Sequence, residues 1–194
     1  MMVIGLTGGI GMGKSTVARM FAAHSVPGFN ADDAVHRLQA KNGRAIPLLA
    51  SAFPGMVRHG VLDRARLRAL VLHDEPAMRR LERIMHPLVR AEERIFRARA
   101  QRAGRRAVLL DIPLLFETNS AERFDLVITV SAPRAVQISR VLRRGLPRAQ
   151  LEAIIARQMP DAQKRRLADV VIPTGLSKFH TIRAVRRTVR RILP

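Results

Sequence analysis

The chain has 194 residues, a formal net charge of +20 and no cysteine. That length suits one compact domain with room for insertions, and the lack of cysteine excludes disulfides, iron–sulfur clusters, thiolate zinc sites and thiol nucleophiles. The composition, 47% hydrophobic and 26% charged, is that of a globular chain.

No apolar run approaches the roughly 20 residues of a membrane span. The opening Met1-Met2-Val3-Ile4 reads as a strand rather than a leader, so a cytoplasmic location is expected. Arginine supplies 31 of the 35 basic residues. Such an excess favours anionic partners, whether phosphates, nucleotides or nucleic acid; an arginine-rich surface serving solubility gives the same count. With no Trp or Tyr and seven Phe, there are few platforms for stacking unpaired bases.

Residues 3–7 read as a short buried strand, followed by a glycine-rich turn and a helix from Lys14 to about Ala23, with Val17, Met20 and Phe21 on its inner face. Pro27-Gly28 marks a break, and Phe29-Asn30-Ala31 ends a second strand. Residues 33–106 are mostly helical. Asp63 is placed to cap a helix over Arg64–His73, and Asp74 to start the next one. His86-Pro87 is expected to interrupt that helix, with Pro87 in the first turn of another running to about Ala103. Continuous apolar runs at 107–111, 125–130 and 169–172, separated by helices, argue for a parallel sheet covered on both faces. Helices are expected at about 134–144 and 148–158, and a last one at about 177–193 with Ser177 as its cap. The long helical stretch between the second and third strands looks like an insertion into an α/β core.

Gly8-Gly-Ile-Gly-Met-Gly13-Lys14-Ser15 matches G-x-x-x-x-G-K-[ST] in its required context, after a strand and before a helix. The backbone over Gly11, Met12, Gly13, Lys14, Ser15 and Thr16 can cradle the phosphates of ATP. Lys14 can bridge the β- and γ-phosphates, and the Ser15 hydroxyl can ligate Mg²⁺. The Met12 side chain, where a small residue is ordinary, carries no evident function. Asp111 ends the third strand and either holds a magnesium-bound water or caps the turn into Pro113. Asp32 and Asp33 follow the second strand; one can serve as general base, and Asp33 is the better candidate to cap the following helix. Arginines of 134–166 can close over a triphosphate; Arg140 and Arg144, four apart, are read as sharing one helix face.

With these residues placed, the sequence resembles the dephospho-CoA kinase family over nearly its whole length. The resemblance rests on Gly5–Thr16, Asn30-Ala31-Asp32, Gly60-Val-Leu-Asp63-Arg64 with Leu67, Leu81-Glu82-x-Ile84-x-His86-Pro87 and Asp111-Ile-Pro-Leu-Leu-Phe116-Glu117. It rests also on Gln137-x-x-Arg140, Gln158 and Ala168-Asp169. It implies a P-loop fold of three layers with a parallel sheet, a helical substrate-binding insertion and a helical lid. The expected division is a nucleotide-binding core of residues 1–32, 104–133 and 167–194, an acceptor region at 33–103 and a lid at 134–166. The implied reaction is transfer of the γ-phosphoryl of ATP, with Mg²⁺, to the ribose 3′-hydroxyl of dephospho-CoA. Asp32 is then the base, Lys14 the phosphate contact, and Arg140 with Arg144 the lid contacts. Arg64, His86, Phe116 and Glu117 fall to the acceptor. Two departures stand out: Asn30 replaces the first Asp of Asp-Ala-Asp, and the segment after Arg144 is about one residue short. The alternatives are a P-loop kinase of another small alcohol, such as a nucleoside, and a basic nucleic-acid-binding ATPase. Neither a specific nucleic-acid partner nor a membrane is expected.

Overall fold

The computed structural model describes residues 1–193, which fall into two compact units: Met1–Phe29 with the chain from Ala100 onward, and Asn30–Arg99. The elements of the first unit are β1 (Met2–Thr7), α1 (Lys14–Ala22) and β2 (Gly28–Asn30), the last reaching one residue into the second unit. In the second unit follow α2 (Ala31–Leu38), α3 (Ile46–Ala52), β3 (Val57–Arg58), β4 (Val61–Leu62), α4 (Arg64–His73) and α5 (Glu75–Arg102). The first unit then resumes with β5 (Ala107–Asp111), β6 (Leu126–Ser131), α6 (Arg134–Leu142), α7 (Arg148–Arg157), α8 (Asp161–Leu167), β7 (Val170–Pro173) and α9 (Lys178–Ile192).

The five-stranded sheet runs β2-β5-β1-β6-β7, with β1–β5, β1–β6 and β6–β7 all parallel. The chain leaves β1 for β2 on one side and later crosses to β6 on the other. The carboxyl end of β1 is therefore a switch point, where open parallel sheets leave a crevice for ligands. On one face Ile4, Leu6, Leu109, Ile128 and Ile172 meet Val17 and Phe21 of α1 and Val185 of α9. Burying each such side chain is worth about 1.5–3 kcal/mol. The other face is covered by Leu115, Phe116 and Phe124 beside Val127. Gly5 makes that cover possible, because a Cβ there would lie 2.7 Å from Leu115 Cδ1 and 2.9 Å from Phe124 Cγ.

At the amino ends of the strands, two carboxylates bind neighbouring backbone. Asp125 Oδ2 accepts from Val3 N at 2.7 Å, and Asp169 Oδ2 accepts from Val127 N at 2.7 Å.

The second unit has its own core of Leu38, Ile46, Leu49, Phe53, Leu67, Val71 and Met85. Three expectations fail here. His86-Pro87 does not interrupt the chain: α5 continues through Pro87. A proline in a helix interior removes one hydrogen bond and crowds the preceding turn. Leu81, Ile84 and Met85 before it and Leu88 and Val89 after it all join the same apolar cluster, so burial on both sides holds the helix together. The second strand does not extend to Ala31, which opens α2, and Asp33 is not the cap. Asn30 is, accepting from Asp33 N through Oδ1 at 3.1 Å. The caps assigned to Asp63, Asp74 and Ser177 are present, each side chain accepting a backbone N–H three residues on.

Asn and Asp are near-equal caps, and Ala forfeits the side-chain bond. Asn30→Ala should lower stability by about 0.5–2 kcal/mol, whereas Asn30→Asp should leave it nearly unchanged. Urea unfolding of the three proteins checks this; equal loss in both variants would remove the capping account.

Candidate active site

The turn between β1 and α1 curls because Gly8, Gly11 and Gly13 all take positive φ. At Gly11 the need is also spatial: a Cβ would stand 2.6 Å from Val141 Cγ2 and 2.9 Å from the Gln137 carbonyl oxygen. Gly13 caps α1, and the helix begins at Lys14 with Ser15 exposed on its first turn. The leading N–H groups of a helix have no carbonyl partner within it and carry the positive end of its dipole, so this turn suits phosphate oxygens. Lys14 folds along the loop, its Nζ donating to the Gly8 carbonyl at 3.0 Å.

The loop is held from outside by side chains. Gln137 of α6 donates from Nε2 to the Ile10 carbonyl at 2.8 Å, and Ile10 N donates to Gln158 Oε1 at 3.1 Å, so both polar groups of Ile10 are engaged by glutamines. Thr174, just after β7, donates from Oγ1 to the Met12 carbonyl at 2.6 Å. Met12 proves to have a structural role: its buried thioether accepts from Ala132 N at 3.1 Å, tying the loop to the segment after β6.

The Arg140 guanidinium donates to Thr174 Oγ1 at 3.2 Å and to the Thr174 carbonyl at 2.5 Å, and reaches the Gly11 carbonyl at 3.5 Å. It therefore lies against the glycine loop. Arg144 does not share its helix face. α6 ends at Leu142, Gly145 takes φ +84°, and Arg144 is an exposed residue beyond the helix.

Asp111 closes β5 in register with Leu6, one residue before Thr7 and two before the loop's first glycine; it is 7% exposed. A carboxylate and the Ser15 hydroxyl are hard oxygen donors of the kind Mg²⁺ accepts beside substrate phosphates and water. Among the described residues there is no group of three or more metal-ligating side chains.

Phe116 is buried with Leu115 and Val127, packing against the sheet. Glu117 Oε1 pairs with Lys164 Nζ at 2.8 Å and accepts from Met159 N at 2.9 Å. Lys164 was not visible from sequence: it sits among arginines on α8, a helix missing from the expected elements, and is 1% exposed. In the second unit Asp32 and Asp33 are exposed on the first turn of α2, and His86 is exposed on α5. Arg64, at the start of α4, binds the Nδ1 and the carbonyl of His36 on α2, each at 3.0 Å. This link between α4 and the helix that carries Asp32 has no sequence signal, since His36 belongs to none of the motifs.

A parallel sheet whose central strand runs into a glycine turn and a lysine-headed helix defines the class of P-loop kinases. The chain belongs to the dephospho-CoA kinase family, whose profile matches residues 2–177. A dephospho-CoA kinase of Mesorhizobium japonicum is 55% identical over 176 residues, 90% of this chain and 88% of its own length. A crystal structure from Thermus thermophilus is similar with a TM-score of 0.87 and 32% identity, over 100% of this chain and 98% of that one. The dephospho-CoA kinase from Campylobacter jejuni shares the fold, with a TM-score of 0.71 at 22% identity over 98% and 96% of the two chains.

Burial by itself pushes the Glu117 carboxyl upward. The hydrogen bonds from Lys164, Met159 N and its own N–H, with the lysine charge, outweigh burial and hold it below the ordinary glutamate range. A carboxyl depressed in the folded state contributes stability above the unfolded value and loses it as pH falls through the folded one. The stability gap between wild type and Glu117→Gln should therefore be constant near neutrality and shrink as pH falls below the ordinary glutamate range. Urea midpoints across pH measure this; a gap that does not shrink as the solution is acidified would exclude a depressed Glu117.

Proposed function

We propose that this chain transfers the γ-phosphoryl group of ATP to the ribose 3′-hydroxyl of dephospho-CoA, giving coenzyme A and ADP. The observation that carries this reading is the family match over residues 2–177, on a chain whose glycine loop turns through three positive-φ glycines into the start of a helix. No comparison favours a nucleoside kinase or a nucleic-acid-binding ATPase. A cytoplasmic location goes with it, the compartment that a cysteine-free chain suits. No helix among the described residues is long and apolar enough to cross a membrane.

In this reading the backbone from Gly11 to Thr16 binds the phosphates and Lys14 neutralises the β- and γ-oxygens. Ser15 and Asp111 would hold Mg²⁺, which supplies further charge neutralisation at those oxygens. Residues 134–166 act as a lid over the core of 1–32, 104–133 and 167–194, with Arg140 and Arg144 contributing positive charge to the transferring group. Residues 33–103 take the acceptor, with Arg64 and His86 on its side. The 3′-oxygen attacks the γ-phosphorus, the bond to the β–γ bridging oxygen breaks, and ADP leaves with that electron pair. The hydroxyl proton passes to Asp32. Asn30 is a neutral amide and cannot take it.

A coupled ADP-release assay with dephospho-CoA, compared with adenosine and other nucleosides, tests the assignment. Activity confined to the nucleosides would overturn it. Lys14→Ala should cost on the order of 10²–10³ in rate in a folded protein. Asp32→Asn should lower kcat by roughly 10²–10⁴ and remove the acid limb of the pH profile, with ATP binding little changed, while Asp33→Asn costs far less. Full activity in Asp32→Asn and loss in Asp33→Asn would move the base by one residue.

A further inference from the structure

Lys164 is 1% exposed, and Glu117 is the carboxylate it meets, at 2.8 Å. Taking both charges from water is costly, and apolar side chains of similar size often serve stability as well or better. The same Glu117 oxygen that meets the lysine also accepts from Met159 N at 2.9 Å. Met159 follows Gln158 directly, in the connection between α7 and α8. Gln158 Oε1 accepts from Ile10 N in the glycine loop at 3.1 Å, opposite Gln137 on the Ile10 carbonyl. Met159, Gln158 and Lys164 also line a cavity of about 740 Å³ together with Gly9, Met12 and Gln137. Gln158 is thus a half-buried wall residue of this cavity, and its amide oxygen is anchored by the Ile10 N–H.

We propose that Glu117 and Lys164 are positioning residues for the phosphate loop: the ion pair fixes the Met159 peptide, which aims Gln158 at Ile10 and holds the loop in its phosphate-binding form. The pair thereby couples the stretch that follows β5, residues 112–117, to nucleotide affinity. This role differs from contact with the acceptor, the part the family resemblance gives Glu117, and it rests on the reading of the glycine loop as an ATP site.

The test uses the full chain with Glu117→Leu and Lys164→Met together, which removes both charges and the acceptor for Met159 N. Three readouts are needed: ATP affinity by calorimetry, the separate KM values for ATP and dephospho-CoA, and the melting temperature. Losing one aligned hydrogen bond predicts ATP binding weaker by roughly 2–13-fold with KM for dephospho-CoA unchanged. Gln158→Ala should do the same, and the triple variant should be no worse than either, because both act through one contact. Unchanged ATP affinity with a lowered melting temperature would reduce the pair to a structural role. A KM increase confined to dephospho-CoA would make Glu117 an acceptor contact, and additive losses in the triple variant would break the link through Gln158. Each of these results overturns the proposal. If the double variant does not fold, Glu117→Asp keeps the charge but withdraws the oxygen from Met159 N; the same weakening is expected, and wild-type ATP affinity there overturns the proposal as well. Failure of the wild-type protein itself to bind ATP would overturn the kinase reading rather than this coupling alone.

Discussion

A loop that binds phosphate through its backbone cannot stabilise itself. Its N–H groups must turn inward and its glycines contribute no packing, so the restraint has to come from neighbouring elements. Here that restraint converges on Ile10 and Met12. Gln137 and Gln158 bind the two polar groups of Ile10, Thr174 binds the Met12 carbonyl, and the Met12 thioether takes the Ala132 N–H. Helix α6, the α7–α8 connection and the turns after β6 and β7 are thus each committed to the shape of one tight turn. The fold's switch point supplies the place, and these contacts supply the conformation.

Features that depend on near neighbours in the chain were legible in the sequence. The strand–glycine–lysine sequence needs only a few residues to declare itself, and Asp63, Asp74 and Ser177 act on backbone three residues away. The apolar runs that became β5, β6 and β7 are long enough to be read from composition.

Features decided by distant partners were not legible. Hydropathy would bury Leu167 and expose Lys164 on the same helix, yet Leu167 is 57% exposed and Lys164 is 1% exposed, because Glu117 waits on the inner side. Pro87 reads as a break until the apolar residues on both sides of it are seen to share one core. Asn30 looked like a lost carboxylate, and the structure gives it work that an amide does as well as an acid. Arg144 lies off the Arg140 face because α6 ends at Leu142, ahead of the left-handed Gly145, and this local glycine signal is present in the sequence.

The carboxylates of Asp125 and Asp169 solve a problem peculiar to a sheet of this kind. Strands buried on both faces are nearly uniform in hydropathy, so sliding one strand along its neighbour by two residues would return every apolar side chain to an apolar face. Burial alone is almost blind to that error. Each aspartate just ahead of its strand accepts from the second backbone N–H of the strand beside it, Asp125 from Val3 and Asp169 from Val127. A slipped pairing would leave both acids opposite the wrong peptide. In the folded protein the two residues act as alignment marks, fixing a register that hydropathy by itself leaves open.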